Sequence, residues 1–253
     1  MNFRNLQVEN SLKEARWVFP VMDDERVERI IQKHGLPEIV ARLLSTRDVD
    51  ADDVEGFLYP RLAQHFPDPF SMAGMADMAA FIAKAVVDGR QIGIFGDFDV
   101  DGATSTAIML RFFRHLGMDC AFYIPDRLAE GYGPNINALK SLKEQGADIV
   151  IMCDCGITAF DVIEQGRNLG LDLVVLDHHE AEENLPVANH VINPQRRDDT
   201  SGLGMLAACG VTFLACVAVN KALRDSGYFQ KKNIDEPPLK SWLDLVALGT
   251  VCD

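Results

Sequence analysis

"DLVVLDHHEAEEN", residues 172–184, runs from an unbroken apolar stretch straight into an aspartate, two histidines and a cluster of glutamates. The apolar part, Leu173 to Leu176, shows no polar alternation, so both of its faces are expected to be buried, as in a strand inside a parallel sheet. Ending such a strand on Asp177, His178 and His179 puts groups that prefer water or a metal where the backbone leaves the core. The pattern recurs. "IGIFGDFDVDG" (92–102) ends on Asp97, Asp99 and Asp101, "DIVIMCDCG" (148–156) on Asp154, and "LDLVALGTVCD" (243–253), read as a fourth strand, on Asp253. Between the runs lie amphipathic helical stretches such as "TSTAIMLRFFRHLG" (104–117), "NINALKSLKEQG" (135–146) and "AFDVIEQGRNLG" (159–170). Apolar runs spaced by helices predict an α/β fold, a doubly wound, mainly parallel sheet with helices on both faces.

Upstream the texture differs. "ERVERIIQKHG" (25–35) has helical spacing and a glycine stop, and "PEIVARLLSTRDVDADDVEGFL" (37–58) follows it before Pro60, Pro67 and Pro69 interrupt the pattern. "MADMAAFIAKAVVDG" (75–89) then resumes it. This divides the chain into a helical N-terminal lead-in, residues 1–76, and a sheet domain, residues 77–253. At 253 residues and 48% hydrophobic content the chain is long enough for one large core with a small appendage.

The N-terminal stretch, residues 1–17, carries charges throughout and lacks the apolar segment of a secretory signal. The longest uncharged run, Thr200 to Asn220, reads as a glycine-rich loop feeding a buried helix, and no membrane is expected. Six cysteines, each in an apolar segment, read as reduced buried thiols and point to the cytoplasm. Cys153 and Cys155 are too close together for a paired zinc knuckle. A net charge of −14 weighs against a large nucleic-acid surface, although much of it lies in three runs, 23–28, 48–55 and 180–184, expected to be solvated faces.

In an open parallel sheet the carboxyl ends of the strands share one edge, and ligands bind there. Carboxylates gathered at that edge repel one another and resist ionisation, a cost that divalent cations remove. Oxygen donors with one or two imidazoles suit Mn2+ or Mg2+, and two such ions roughly 3.5–4 Å apart are an arrangement used for phosphoester hydrolysis. Each piece alone has a duller reading: an aspartate capping the next helix, a calcium-type loop, or the acidic strand end of a phospho-receiver domain.

Taken together, "GDFDVDGATS" (96–105), "DCGIT" (154–158), "DHHE" (177–180) and "LVALGTVCD" (245–253) resemble the four motifs of the DHH phosphoesterase superfamily. The full spelling is similar to its branch of bacterial single-stranded-DNA-specific exonucleases. The likeness extends to "STRDVDADDVEGFLYPRL" (45–62), "DRLAEGYG" (126–133) and "VINPQR" (191–196), and covers about residues 36 to 253. It implies metal-dependent 5′-to-3′ hydrolysis of single-stranded DNA to 5′-mononucleotides in DNA repair and recombination. The implied cofactor is a pair of Mn2+ or Mg2+ ions, and a single-strand-binding protein or a repair helicase is an implied partner.

The resemblance makes Asp99 and Asp101 ligands of one metal each, with Asp97 a third candidate, Asp154 the bridging carboxylate, and His178 and Asp253 further ligands. His179 is expected to touch the scissile phosphate, and Asp177 to orient a histidine from behind. Asp99, Asp154 and His179 form the implied catalytic set. Arg127, Arg196 and Arg197 are the candidate phosphate contacts, Tyr132 a base-stacking or packing residue, and Gly204 a point of close approach for a nucleotide backbone or of plain helix–sheet packing. Two features depart from the family pattern. Phe95 stands where many relatives place a histidine ligand, and the sequence ends at Asp253, where relatives continue into a glycine-rich substrate domain and an OB-type domain. The chain therefore reads as a fragment, itself expected to be inactive on DNA. Two alternatives stay open: a DHH phosphodiesterase acting on short oligonucleotides, cyclic dinucleotides or pyrophosphate, and a non-catalytic replication scaffold of the same fold.

Overall fold

A computed structural model describes residues 11–18 and 22–253, so the reading of residues 1–10 lies outside the described residues. The chain divides into two compact units, Met1–Pro67 and Asp68–Asp253.

Among its described residues the first unit holds four short helices, α1 (Asp24–His34), α2 (Glu38–Ser45), α3 (Val54–Leu58) and α4 (Leu62–His65). Asp23 caps α1 by accepting the Arg26 amide, and Gly35 ends it with a left-handed φ of 64°, a conformation that costs glycine nothing. Val27, Ile30, Ala41, Leu44, Val49 and Val54 form its small core. Two of the acidic runs are exposed here but not merely solvated. The Arg26 guanidinium lies 2.8 Å from Asp48 and 3.2 Å from Asp50, and Lys33 pairs with Asp52.

The second unit is built on five strands after α5 (Met75–Asp88): β1 (Ile92–Gly96), α6 (Val100–His115), β2 (Ala121–Tyr123), α7 (Ile136–Glu144), β3 (Ile149–Cys153), α8 (Phe160–Asn168), β4 (Asp172–Leu176), β5 (His190–Ile192), α9 (Ala208–Asp225), α10 (Tyr228–Lys232) and α11 (Leu243–Cys252). All pairings are parallel, in the order β2-β1-β3-β4-β5. Alternate residues along each strand enter two different cores. Ile92, Ile94, Ile149, Ile151, Val174 and Leu176 join the side chains of α5, α6 and α9. Phe95, Val150, Met152, Leu173 and Val175 join those of α7 and α8 on the other face. Strands buried on both sides are why these runs read as continuously apolar.

"LDLVALGTVCD" is not a strand. Residues 243–252 form α11, in which three leucines and an alanine favour helix, and an apolar segment this short carries no periodicity that separates the two states. The strand that completes the row is β5, three residues long and too short to stand out in the sequence. Cys252, expected to be buried, is exposed at the end of α11; the other five cysteines are buried and all six are free. Among the described residues no single helix is long and apolar enough to cross a membrane.

Candidate metal centre

The register of the sheet creates the site. Gly96 pairs with Cys153, Cys153 with Leu176, and Leu176 with Ile192, so four strands end in one row. The next residue of each, Asp97, Asp154, Asp177 and Asn193, stands at the rim. Backbone bonds continue past the strands, from Asp97 N to Cys153 O (3.3 Å), Asp154 N to Leu176 O (2.9 Å) and Asp177 N to Ile192 O (3.0 Å). The strand order reverses between β1 and β3, and a crevice at such a switch point is where doubly wound sheets hold ligands.

From this row, helix starts add further acids. Asp99 caps α6 by accepting the Gly102 amide at 2.9 Å, and Asp101 lies in the first turn of that helix. Both Asp101 oxygens are engaged by the start of α9, accepting the Ala208 amide at 2.6 Å and the Cys209 amide at 2.8 Å. Asp253 arrives at the C-terminal end of α11, where a carboxylate faces the negative end of the helix dipole and gains nothing from it.

Asp97, Asp99 and Asp154 bring one oxygen each within 4.8 Å of one another, and Asp101, His178 and Asp253 form a second such group. Asp154 stands between them, its Oδ1 3.3 Å from His178 Nε2, which is also 3.8 Å from Asp101 and 3.8 Å from Asp253. At 3.3 Å the Asp154–His178 contact lacks hydrogen-bond alignment, and both atoms are buried without a partner, as is Asp97 Oδ1. Buried polar atoms are nearly always satisfied, so three orphans around one crevice fit a cation that would take them as ligands. Burial pushes the Asp154 carboxyl up to about 7 and also raises Asp97. The facing Asp154 carboxylate in turn raises His178. Asp154 takes a left-handed φ of 63°, a strained conformation outside glycine and of the kind that collects at functional sites.

Asp177 differs. Burial pushes it up, but the His179 ring at 2.7 Å and the Ile157 amide at 2.9 Å outweigh that and hold it below its ordinary value. In return Asp177 raises His179 to about 9. Asp177 thus holds the His179 ring from the side away from the solvent, through the 2.7 Å contact at Nδ1. The Tyr132 hydroxyl lies 3.3 Å from His179 Nδ1 and 3.4 Å from the Asp154 carbonyl.

The other named residues divide. Arg127 lies over the Phe98 ring at 5.1 Å, and Phe98 meets Tyr132 edge-on, which joins the two candidates beside His179. Arg196 is committed elsewhere, to Asp198 through Nε (2.9 Å) and Nη2 (2.6 Å) and to the Val191 carbonyl through Nη1 (2.5 Å). Arg197 is exposed and pairs with Glu183 at 3.5 Å. At Gly204 a Cβ would meet Gln195 at 3.4 Å, ordinary contact, so nothing there demands glycine. Phe95 points away from the rim into the α7–α8 core, stacked on Tyr123.

Sequence reasoning missed Phe98 and Asn193. Asn193 is fully buried and donates to the His179 carbonyl at 2.9 Å, fixing the turn that carries both histidines. An asparagine directly after the apolar pair Val191–Ile192 was the available signal.

Comparison with known proteins places this fold in a family. The family model "DHH family, N-terminal domain" matches residues 91–250. The single-stranded-DNA-specific exonuclease RecJ of Bacillus subtilis (strain 168) is 36% identical over 239 residues, which cover 94% of this chain and 28% of that protein. RecJ of Escherichia coli (strain K12) is 36% identical over 220 residues, 86% of this chain and 37% of that one. The chain thus spans well under half the length of these relatives. Among solved structures, exonuclease RecJ bound to manganese superposes with a TM-score of 0.58 at 30% identity, over 71% of this chain and 43% of that one. RecJ in complex with Mn2+ from Thermus thermophilus gives a TM-score of 0.66 over 92% of this chain and 31% of that one, and at 23% identity it speaks to the fold alone.

Proposed function

The chain belongs to the DHH family, and from that premise we propose that its rim holds two divalent cations, Mn2+ or Mg2+, for hydrolysis of a phosphodiester bond in single-stranded DNA. The observation that carries this reading is the pair of donor groups, Asp97–Asp99–Asp154 and Asp101–His178–Asp253, with Asp154 between them and its inward oxygen unpaired. Cations held there would polarise the phosphoryl oxygens and make a water acidic enough to attack at neutral pH.

The chain's own residues supply orientation and charge. His179, kept protonated by Asp177, presents a fixed positive charge beside the crevice, suited to steadying charge that develops on a phosphate. Arg127, lying on Phe98, offers a second cation on the same side, and Tyr132 and Phe98 offer aromatic surface for a base. Attack from the 5′ end, release of 5′-mononucleotides, a role in repair and recombination with a single-strand-binding protein or helicase, and a cytoplasmic setting belong to the same proposal. They are supported by the single-stranded-DNA specificity of the relatives and, for the setting, by six free cysteines.

Calorimetric titration of Mn2+ into this chain tests the reading without needing DNA. Saturable uptake near two ions per chain is expected, and its abolition by Asp154→Asn. Asparagine keeps the shape of the side chain and tolerates the left-handed backbone there, so loss of binding would report loss of a ligand. No uptake by the unaltered chain would overturn the reading.

A further inference from the structure

Helix α11 carries a glycine in its interior, and glycine weakens a helix relative to alanine, so its presence calls for a packing reason. Gly249 is the one residue of α11 that is buried. A Cβ placed on it would lie 2.5 Å from Cys209 Sγ, 2.6 Å from Thr104 Oγ1 and 2.9 Å from Asp101 Oδ1. None of these atoms is free to give way. Asp101 is held through both oxygens by the Ala208 and Cys209 amides. Thr104 donates to the Asp101 carbonyl at 3.1 Å, and the Cys209 thiol donates to the Val246 carbonyl at 3.3 Å. Helix α11 can lie this close to α6 and α9 only where it has no side chain. One turn further on, the Asp253 amide donates to the Gly249 carbonyl at 3.0 Å, and the Asp253 carboxylate stands 3.8 Å from His178 Nε2.

We propose that Gly249 is a positioning residue of the metal centre. Its bare Cα lets α11 press against Asp101, and that approach brings Asp253 into the group Asp101–His178–Asp253. The inference rests on reading that group as a cation site. Asp253 lies outside the sheet, so its position follows α11 rather than a strand. A methyl group at 249 pushes the helix outward and carries the carboxylate with it, while the donors supplied by β1, β3 and β4 stay in place.

The test is a double-mutant cycle read by Mn2+ calorimetry on the whole chain, with metal-free thermal melts beside it. The variants are Gly249→Ala, Asp253→Asn and the two combined. Gly249→Ala is expected to weaken Mn2+ binding about tenfold, the scale seen when a ligand's support is removed. In the Asp253→Asn background it should add less than about twofold, because the ligand it places is already gone. A purely structural role would lower the melting temperature and cost the same affinity in both backgrounds. That outcome, or unchanged affinity in a folded Gly249→Ala chain, overturns the proposal. Should Gly249→Ala fail to fold, the same change is made with Cys209→Ala and Thr104→Ala, which remove the two nearest atoms. Because Asp101 Oδ1 would still lie 2.9 Å from the added methyl, a weakened affinity that disappears when Asp253→Asn is added supports the proposal, and a loss that persists there, or no loss at all, overturns it. If the unaltered chain takes up no Mn2+, the cation reading itself fails and this inference with it. Uptake by the unaltered chain with an indifferent glycine sinks the inference alone.

Discussion

His178 and His179 leave the same strand side by side, their rings 4.6 Å apart, yet they live in opposite conditions. The ring of His179 is bonded to a buried aspartate that is itself satisfied on every side. His178 faces three carboxylates and is aligned with none of them, its Nε2 buried and unpartnered. The first arrangement is finished as it stands and holds a charge in place. The second is finished only by something positive set between its members. A fold keeps an unsatisfied cluster of this kind at a cost to its stability, and a cluster of carboxylates and an imidazole is a set of donors that could hold a cation.

That contrast is open to attack, and the hardest blow falls on Asp154. Asp154→Asn is expected to weaken Mn2+ binding by at least about 100-fold, since Asp154 stands in reach of both donor groups. An affinity unchanged by calorimetry would erase the difference between the two histidines. Asp177→Asn strikes the finished side. It should cost about 2 kcal/mol in a urea melt, because Asp177 is fully buried and its bond to His179 is charge-assisted. Followed by NMR, His179 should fall from about 9 toward its ordinary value near 6.5. A His179 titration that does not move would show that Asp177 is not its partner.

Acidity separates the two sides more gently. Folding raises Asp154 from its ordinary 3.8 to about 7, so in that interval the folded chain holds a proton the unfolded chain has released. The stabilisation from this group is therefore complete below about 4 and lost as pH rises through about 7. The metal-free chain should melt lower at pH 8 than at pH 5.5 on this account. Mn2+ needs the ionised carboxylate, so its affinity should climb with pH and level off above about 7. A flat affinity between pH 5.5 and 7.5 would contradict the assignment of Asp154 as a ligand. The smallest effect is expected at Tyr132. Its hydroxyl contacts to His179 and Asp154 are long, 3.3 and 3.4 Å, and Tyr132→Phe should cost less than about 1 kcal/mol in the same melt. A larger loss would mean that the finished side depends on Tyr132 as well.

Much of the fold is legible in the sequence. The runs now seen as β1, β3 and β4 are buried on both faces, so hydrophobicity alone marks them, and the acids that follow them had to emerge at one edge. What stayed hidden has physical reasons. Helix α11 is apolar nearly all round and short, a pattern that also fits a buried strand. The β5 strand contributes three residues, and only pairing with β4 reveals it as the end of the row. Arg196 and Arg127 look alike in a sequence, and they part company only through their neighbours, a carboxylate and a carbonyl for one, an aromatic face for the other. Gly249 is silent in one dimension, since its importance lies in atoms contributed by α6 and α9.

The Asp101 carboxylate is bound at both oxygens to the first two amides of α9, an 18-residue helix that runs through the apolar core. A cation that draws electron density off that carboxylate would make it a weaker acceptor for the Ala208 and Cys209 amides. Those two peptide groups are therefore built-in spectators: in a 15N-labelled chain their resonances are expected to shift on Mg2+ loading, with no substrate and no change to the rim.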